Sequence, residues 1–290
     1  MLNTYNNNQN CIINTYKKKL ITLKKQANIA RQKIIKVTTE VESGHLAGSL
    51  SCIDILVVLY FMVLKHNPKK PDWEKRDRFI LSKGHAAPAL YTVLAMSGYF
   101  KEEELYTLRK INSRLQGHPD SKKLPGIEIS TGSLGQGLSA AVGMALGYKY
   151  DNNNGQVYCL VGDGECDEGQ IWEAAMFASS KNLENITVIV DRNKYQIDGR
   201  TEEVLKLEPF ASKWNSFGWK TKEIDGHNLE EILESLQDSR GRRVAIIANT
   251  VKGKGVSFLE NNNKYHSKSC CREDCEEAIN ELCKRLELIE

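Results

Sequence analysis

The sequence predicts an α/β fold, a parallel sheet with helices on both faces, from three observations. Short runs rich in β-branched and apolar residues recur at 78–81, 157–161, 186–190 and 244–248, the pattern of strands buried on both sides. Stretches of helical length lie between them, at 84–97, 134–149 and 169–181. No Pro/Gly/Ser linker and no repeat divides the middle of the 290 residues, which read as one domain with ragged ends.

Along the chain, residues 1–19 are rich in Asn and offer little apolar surface to offset the entropy of ordering. They read as a flexible leader ahead of a domain at 20–290. Between 20 and 39, Leu20, Leu23, Ala27, Ala30, Ile34 and Ile35 follow helical spacing. A second amphipathic helix fits 51–64, with Ser43-Gly44-His45 as the turn between the two. The apolar run at 53–64 is interrupted by Asp54 and is shorter than a bilayer requires, so no membrane span is expected.

Composition narrows the function classes. Hydrophobic residues make up 41% and charged ones 27%, as in ordinary globular proteins, and 40 basic residues against 37 acidic leave a net charge of +3. That balance points to no nucleic-acid-binding face. Eight cysteines occur without an apolar signal core at the start of the chain, which favours a reducing cytoplasm over a disulfide framework. Cys270, Cys271, Cys275 and Cys283 lack the paired C-x-x-C spacing of structural zinc sites and read as thiols on a terminal helix.

The segment richest in chemistry is Val161-Gly162-Asp163-Gly164-Glu165, which ends a buried strand and leads into a helix beginning near Glu168. Ligands of parallel sheets bind at the carboxyl ends of strands. Gly162 and Gly164 let the backbone approach a phosphate, and Asp163 adds a carboxylate suited to a divalent cation bridging to phosphate oxygens. The next strand ends in Asp191-Arg192-Asn193-Lys194-Tyr195, so Asn193 offers an amide oxygen at a neighbouring strand end. With a backbone carbonyl, phosphate oxygens and a water, these complete an octahedral magnesium shell. A dinucleotide site fits less well, because no glycine stands at the sixth position and an acid within the loop repels an unshielded pyrophosphate.

From Gly162-Asp163-Gly164 to Asn193 the chain resembles the metal and diphosphate motif of thiamine-diphosphate enzymes, and its surroundings resemble transketolase. Ser43-Gly44-His45, Leu81-Ser82-Lys83-Gly84-His85, Gln116-Gly117-His118-Pro119 and Thr131-Gly132-Ser133-Leu134-Gly135-Gln136-Gly137 look like signatures of that family, in its order. The resemblance implies the diphosphate-binding domain of the thiamine-diphosphate-binding fold. It implies thiamine diphosphate and Mg2+ (or Ca2+/Mn2+) as cofactors, with Asp163, Asn193 and the Tyr195 carbonyl on the metal. By the same resemblance His45, His85, His118 and His266 line the substrate channel or touch the diphosphate. His85 and His266 also count among the cofactor contacts, with Gly132 and Leu134 on its rings, Gly162 and Gly164 at its diphosphate, and Glu168 linking paired active sites. His66 and His227 match no such position.

The resemblance stops short of a whole transketolase, whose pyrimidine-binding and C-terminal domains have no counterpart here. It therefore implies a partner chain carrying both, a heterotetramer, and ketol transfer between sugar phosphates in the pentose phosphate pathway. His45 is followed by Leu46-Ala47-Gly48-Ser49-Leu50 where many members have proline, a variation associated with split transketolases. His266 lies in Tyr265-His266-Ser267-Lys268 without the family's nearby Gly and Pro. Alternative readings are half of a deoxyxylulose-phosphate synthase or of a 2-oxo-acid dehydrogenase, or a non-catalytic cofactor-binding regulatory subunit.

Overall fold

The computed structural model describes the backbone of residues 2–197 and 199–289, with side chains for 15–197 and 199–289. In chain order it forms α1 (Leu2–Glu40), α2 (Leu46–Val58), β1 (Arg78–Leu81), α3 (Ala87–Met96), α4 (Gln136–Tyr150) and β2 (Val157–Gly162). There follow α5 (Gly169–Ser180), β3 (Ile186–Arg192), β4 (Tyr195–Gln196), β5 (Gly199–Arg200), α6 (Thr201–Val204) and α7 (Phe210–Ser216). The chain closes with β6 (Lys220–Asp225), α8 (Leu229–Ser239), β7 (Val244–Asn249) and α9 (Arg272–Glu287).

One parallel sheet takes the strands in the order β1-β2-β3-β7-β6, and β4 pairs with β5 in a small antiparallel ribbon. Side chains alternate between the sheet's faces. Phe79, Leu81, Tyr158, Leu160 and Ile246 share one core with α1, α2, α3 and α8. Ile80, Val157, Cys159, Val188 and Ile247 share the other with α4, α5 and α7. Helices thus cover both faces, as the buried-strand pattern predicts, and each aliphatic side chain fully buried there contributes roughly 1.5–3 kcal/mol.

Three local expectations need correction. The first helix runs from Leu2; the leader expected at 1–19 falls largely on residues 1–14, whose side chains lie outside the described ones. The second helix starts at Leu46 and is buried on every side, not amphipathic. It continues through a π-helical turn, Leu59–Val63. The resulting Leu46–Val63 run of 18 residues is long and apolar enough for a membrane span, so its length excludes nothing; 83% of it is buried within the protein.

Candidate active site

A parallel sheet gathers the carboxyl ends of its strands along one edge. Register sets Leu81 beside Leu160, Gly162 beside Asp191, and Arg192 beside Asn249. Residues just past these ends therefore become neighbours and line a cavity of about 250 Å³. Lys83 and His85 enter it from the loop after β1, Asp163, Gly164 and Glu165 from β2, Asn193 and Tyr195 from β3, and Lys252 and His266 from β7. His45 at the start of α2, His118, and Gly132 and Leu134 ahead of α4 also line it.

Every sequence-predicted site residue except Glu168 lines this cavity. Glu168 is an exposed residue at the N-cap of α5. A Cβ added at Gly135 would lie 3.1 Å from its Cβ.

Asp163 is only 2% exposed. Its Oδ1 accepts from the Gly164 N–H at 2.9 Å and its Oδ2 from the Lys194 N–H at 2.6 Å. Burial, reinforced by the charge of Asp191, pushes the carboxyl up to about 7. The Gly164 N–H expected to bind diphosphate is thus already engaged, and a ligand there would share it. A side chain at Gly164 would place its Cβ 2.8 Å from that of Gln196. Asn193 accepts from the Tyr195 N–H at 3.1 Å through Oδ1, while Nδ2 faces Asp191 Oδ2 at 3.4 Å and Ser51 Oγ at 3.5 Å.

These residues fit a divalent cation. Asp163 is a buried carboxylate whose hydrogen-bond partners are neutral backbone groups, a negative charge that a cation would offset. Among the described residues no three His, Cys, Asp or Glu side chains converge as a metal site. The ion would accordingly draw on the Asn193 amide oxygen, a backbone carbonyl and the oxygens of its ligand, a donor set typical of magnesium.

Beneath the cavity lies a polar hub that sequence reasoning missed. Asp191 is 0% exposed and forms an ion pair with Lys83, itself 1% exposed. Asp191 also accepts from the hydroxyls of Ser51, at 2.5 Å, and Thr250, and Lys83 donates to the Gly48 carbonyl at 3.1 Å. Burial alone would raise the Asp191 carboxyl, but the Lys83 ammonium overrides it and holds the group below its ordinary value. Glu165 joins neighbouring loops in a similar way, accepting from the backbone N–H groups of Gly135 and Gly162 at 2.9 Å and from the Ser82 hydroxyl. Lys83 and Asp191 do stand within the motif segments, but a charged loop residue ordinarily reads as solvated. Lys252, in Lys252-Gly253-Lys254-Gly255, carries no sequence signal at all.

Three imidazoles form a triangle, with ring centroids 5.2 Å apart for His45 and His85, 5.7 Å for His45 and His266, and 5.8 Å for His85 and His266. Burial, then Arg109, lowers His45 to about 4; burial, then Lys252, lowers His266 to about 4. Burial also holds His85 well below its ordinary value and His118 below it. All are neutral at pH 7, so each can donate from one ring nitrogen and accept at the other. Gly132, at φ 153°, brings its loop against His118, whose Cγ would lie 3.1 Å from an added Cβ. His66 and His227 lie elsewhere: His66 is bonded to Tyr99 and the Tyr60 carbonyl, and His227 to Asp54 and the Val251 N–H.

Known proteins resemble this chain in sequence and fold. Residues 22–284 match the family described as "Transketolase, thiamine diphosphate binding domain". The "6-deoxy-6-sulfo-D-fructose transketolase subunit SqwG" of Clostridium sp. (strain MSTE9) is 45% identical over 91% of this chain and 97% of its own. An apulose-4-phosphate transketolase subunit of Phocaeicola vulgatus is 41% identical over 93% of this chain and 96% of its own. The crystal structure of transketolase from Campylobacter jejuni superimposes with a TM-score of 0.85 at 36% identity, covering 90% of this chain. This chain spans only 42% of that protein.

Proposed function

The chain belongs to the family of transketolase thiamine diphosphate binding domains, and from that premise we propose that it is the cofactor-binding subunit of a two-chain transketolase. Its reaction would move a two-carbon ketol unit from a ketose to an aldose, each bearing a terminal anionic group. The observation that carries this reading is one cavity in which Asp163 and Asn193 meet four histidines. Relatives named as subunits of transketolases for 6-deoxy-6-sulfo-D-fructose and apulose-4-phosphate support a sugar phosphate or sulfonate as substrate class, and a second chain as partner. The same names favour this reading over a deoxyxylulose-phosphate synthase or a 2-oxo-acid dehydrogenase.

Thiamine diphosphate, when bound, supplies carbanion stabilisation that no side chain provides. This chain would hold its diphosphate through Mg2+ on Asp163, Asn193 and the Tyr195 carbonyl, with His85 and His266 beside the phosphates and Gly132 and Leu134 against the rings. His45 and His118, kept uncharged, would take and return protons at sugar hydroxyls near neutral pH. Glu168, exposed outside the cavity, would meet its counterpart across a paired site. The cavity, at about 250 Å³, is below the roughly 300–1,000 Å³ of whole-ligand pockets, which suits one end of the cofactor. The partner would supply the pyrimidine-binding surface, its activating glutamate and most contacts to the sugar phosphate.

Product analysis tests the proposal. With the partner chain, Mg2+ and thiamine diphosphate present, a ketose phosphate and an aldose phosphate should give a ketose phosphate two carbons longer than the acceptor and an aldose phosphate two carbons shorter than the donor. Decarboxylation of pyruvate with no such product would overturn it.

A further inference from the structure

Lys252, in the loop leaving β7, is 1% exposed, where an ammonium is costly unless its hydrogen bonds are satisfied. Its Nζ lies 2.6 Å from Asn263 Oδ1 and 2.7 Å from His266 Nδ1, and 5.6 Å from the centre of the Tyr195 ring. Asn263 in turn donates through Nδ2 to the Ile197 carbonyl at 3.1 Å, which fixes its amide oxygen toward the lysine. A protonated lysine has three N–H donors and no lone pair. The imidazole nitrogen facing it must therefore accept. The oriented Asn263 oxygen and the Tyr195 ring face are the surroundings of an ammonium.

We propose that Lys252 is a positioning residue that locks His266 into the neutral tautomer with its hydrogen on Nε2, the nitrogen left for a ligand in the cavity. The histidine is then a fixed hydrogen-bond donor toward a phosphate or sugar oxygen. It is no general base, because taking a second proton would set a cation 2.7 Å from the Lys252 ammonium. This separates His266 from His45, whose Nδ1 faces the exposed Arg109 guanidinium at the longer distance of 3.4 Å. The consequence for catalysis rests on the transketolase reading; the tautomer does not.

The test is nitrogen-15 NMR of the full chain labelled at histidine, with the His266 signals identified by their loss in His266→Gln. In the parent chain Nε2 should show its directly bonded hydrogen and Nδ1 a bare, pyridine-type shift. Lys252→Arg should keep that pattern, whereas Lys252→Met, checked for folding by circular dichroism, should bring the two nitrogens toward averaged shifts. A hydrogen on Nδ1 in the parent chain, or an unchanged tautomer in folded Lys252→Met, would overturn the proposal. Should Lys252→Met not fold, the parent spectrum alone decides. Because no turnover is read, failure of ketol transfer with the expected tautomer present would refute the functional reading and leave this one standing.

Discussion

Asp163 shows how one side chain couples burial to ligand binding. Its carboxyl is pushed up to about 7 because it lies out of water beside Asp191, and a bound cation would reverse that penalty. Asp163→Ala should therefore abolish Mg2+-dependent thiamine diphosphate binding in the presence of the partner, while circular dichroism remains that of the parent. Equal cofactor affinity in the two proteins by calorimetry would contradict the metal assignment. Asp163 and Asn193 were legible in the sequence because each follows a recognisable strand, and strand ends are where such ligands collect. Lys83, Asp191 and Lys252 were not, since a sequence reports charge but not the burial that turns a charged residue into a fixed donor or counter-ion.

At the scale of elements, Asp191 ties the carboxyl edge of the sheet together. It joins Lys83 after β1, Ser51 on α2 and Thr250 after β7, and faces the Asn193 amide. Asp191→Asn leaves the Lys83 ammonium buried without its counter-charge, a change that typically costs about 3–5 kcal/mol. Urea unfolding should show a loss of that order, partly recovered in the double variant with Lys83→Met; a loss below about 1 kcal/mol would show that the pair matters little. Strands β1, β2, β3 and β7 were legible as apolar runs. The edge strand β6 was not, because Lys220-Thr221-Lys222-Glu223-Ile224-Asp225 buries only Ile224 and shows no such run. Helix α2 was misjudged because burial on all sides removes the periodicity by which an amphipathic helix is recognised.

On the scale of the whole molecule, the chain spans nearly all of its subunit-named relatives but less than half of the Campylobacter transketolase. Ile197 lines the cavity and is 73% exposed. The decisive measurement is turnover by the purified 290-residue chain, supplied with Mg2+, thiamine diphosphate, a ketose phosphate and an aldose phosphate, with and without the chain that carries the pyrimidine-binding domain. The chain alone should be inactive and the mixture should restore ketol transfer; robust turnover by the chain alone would contradict the two-chain reading.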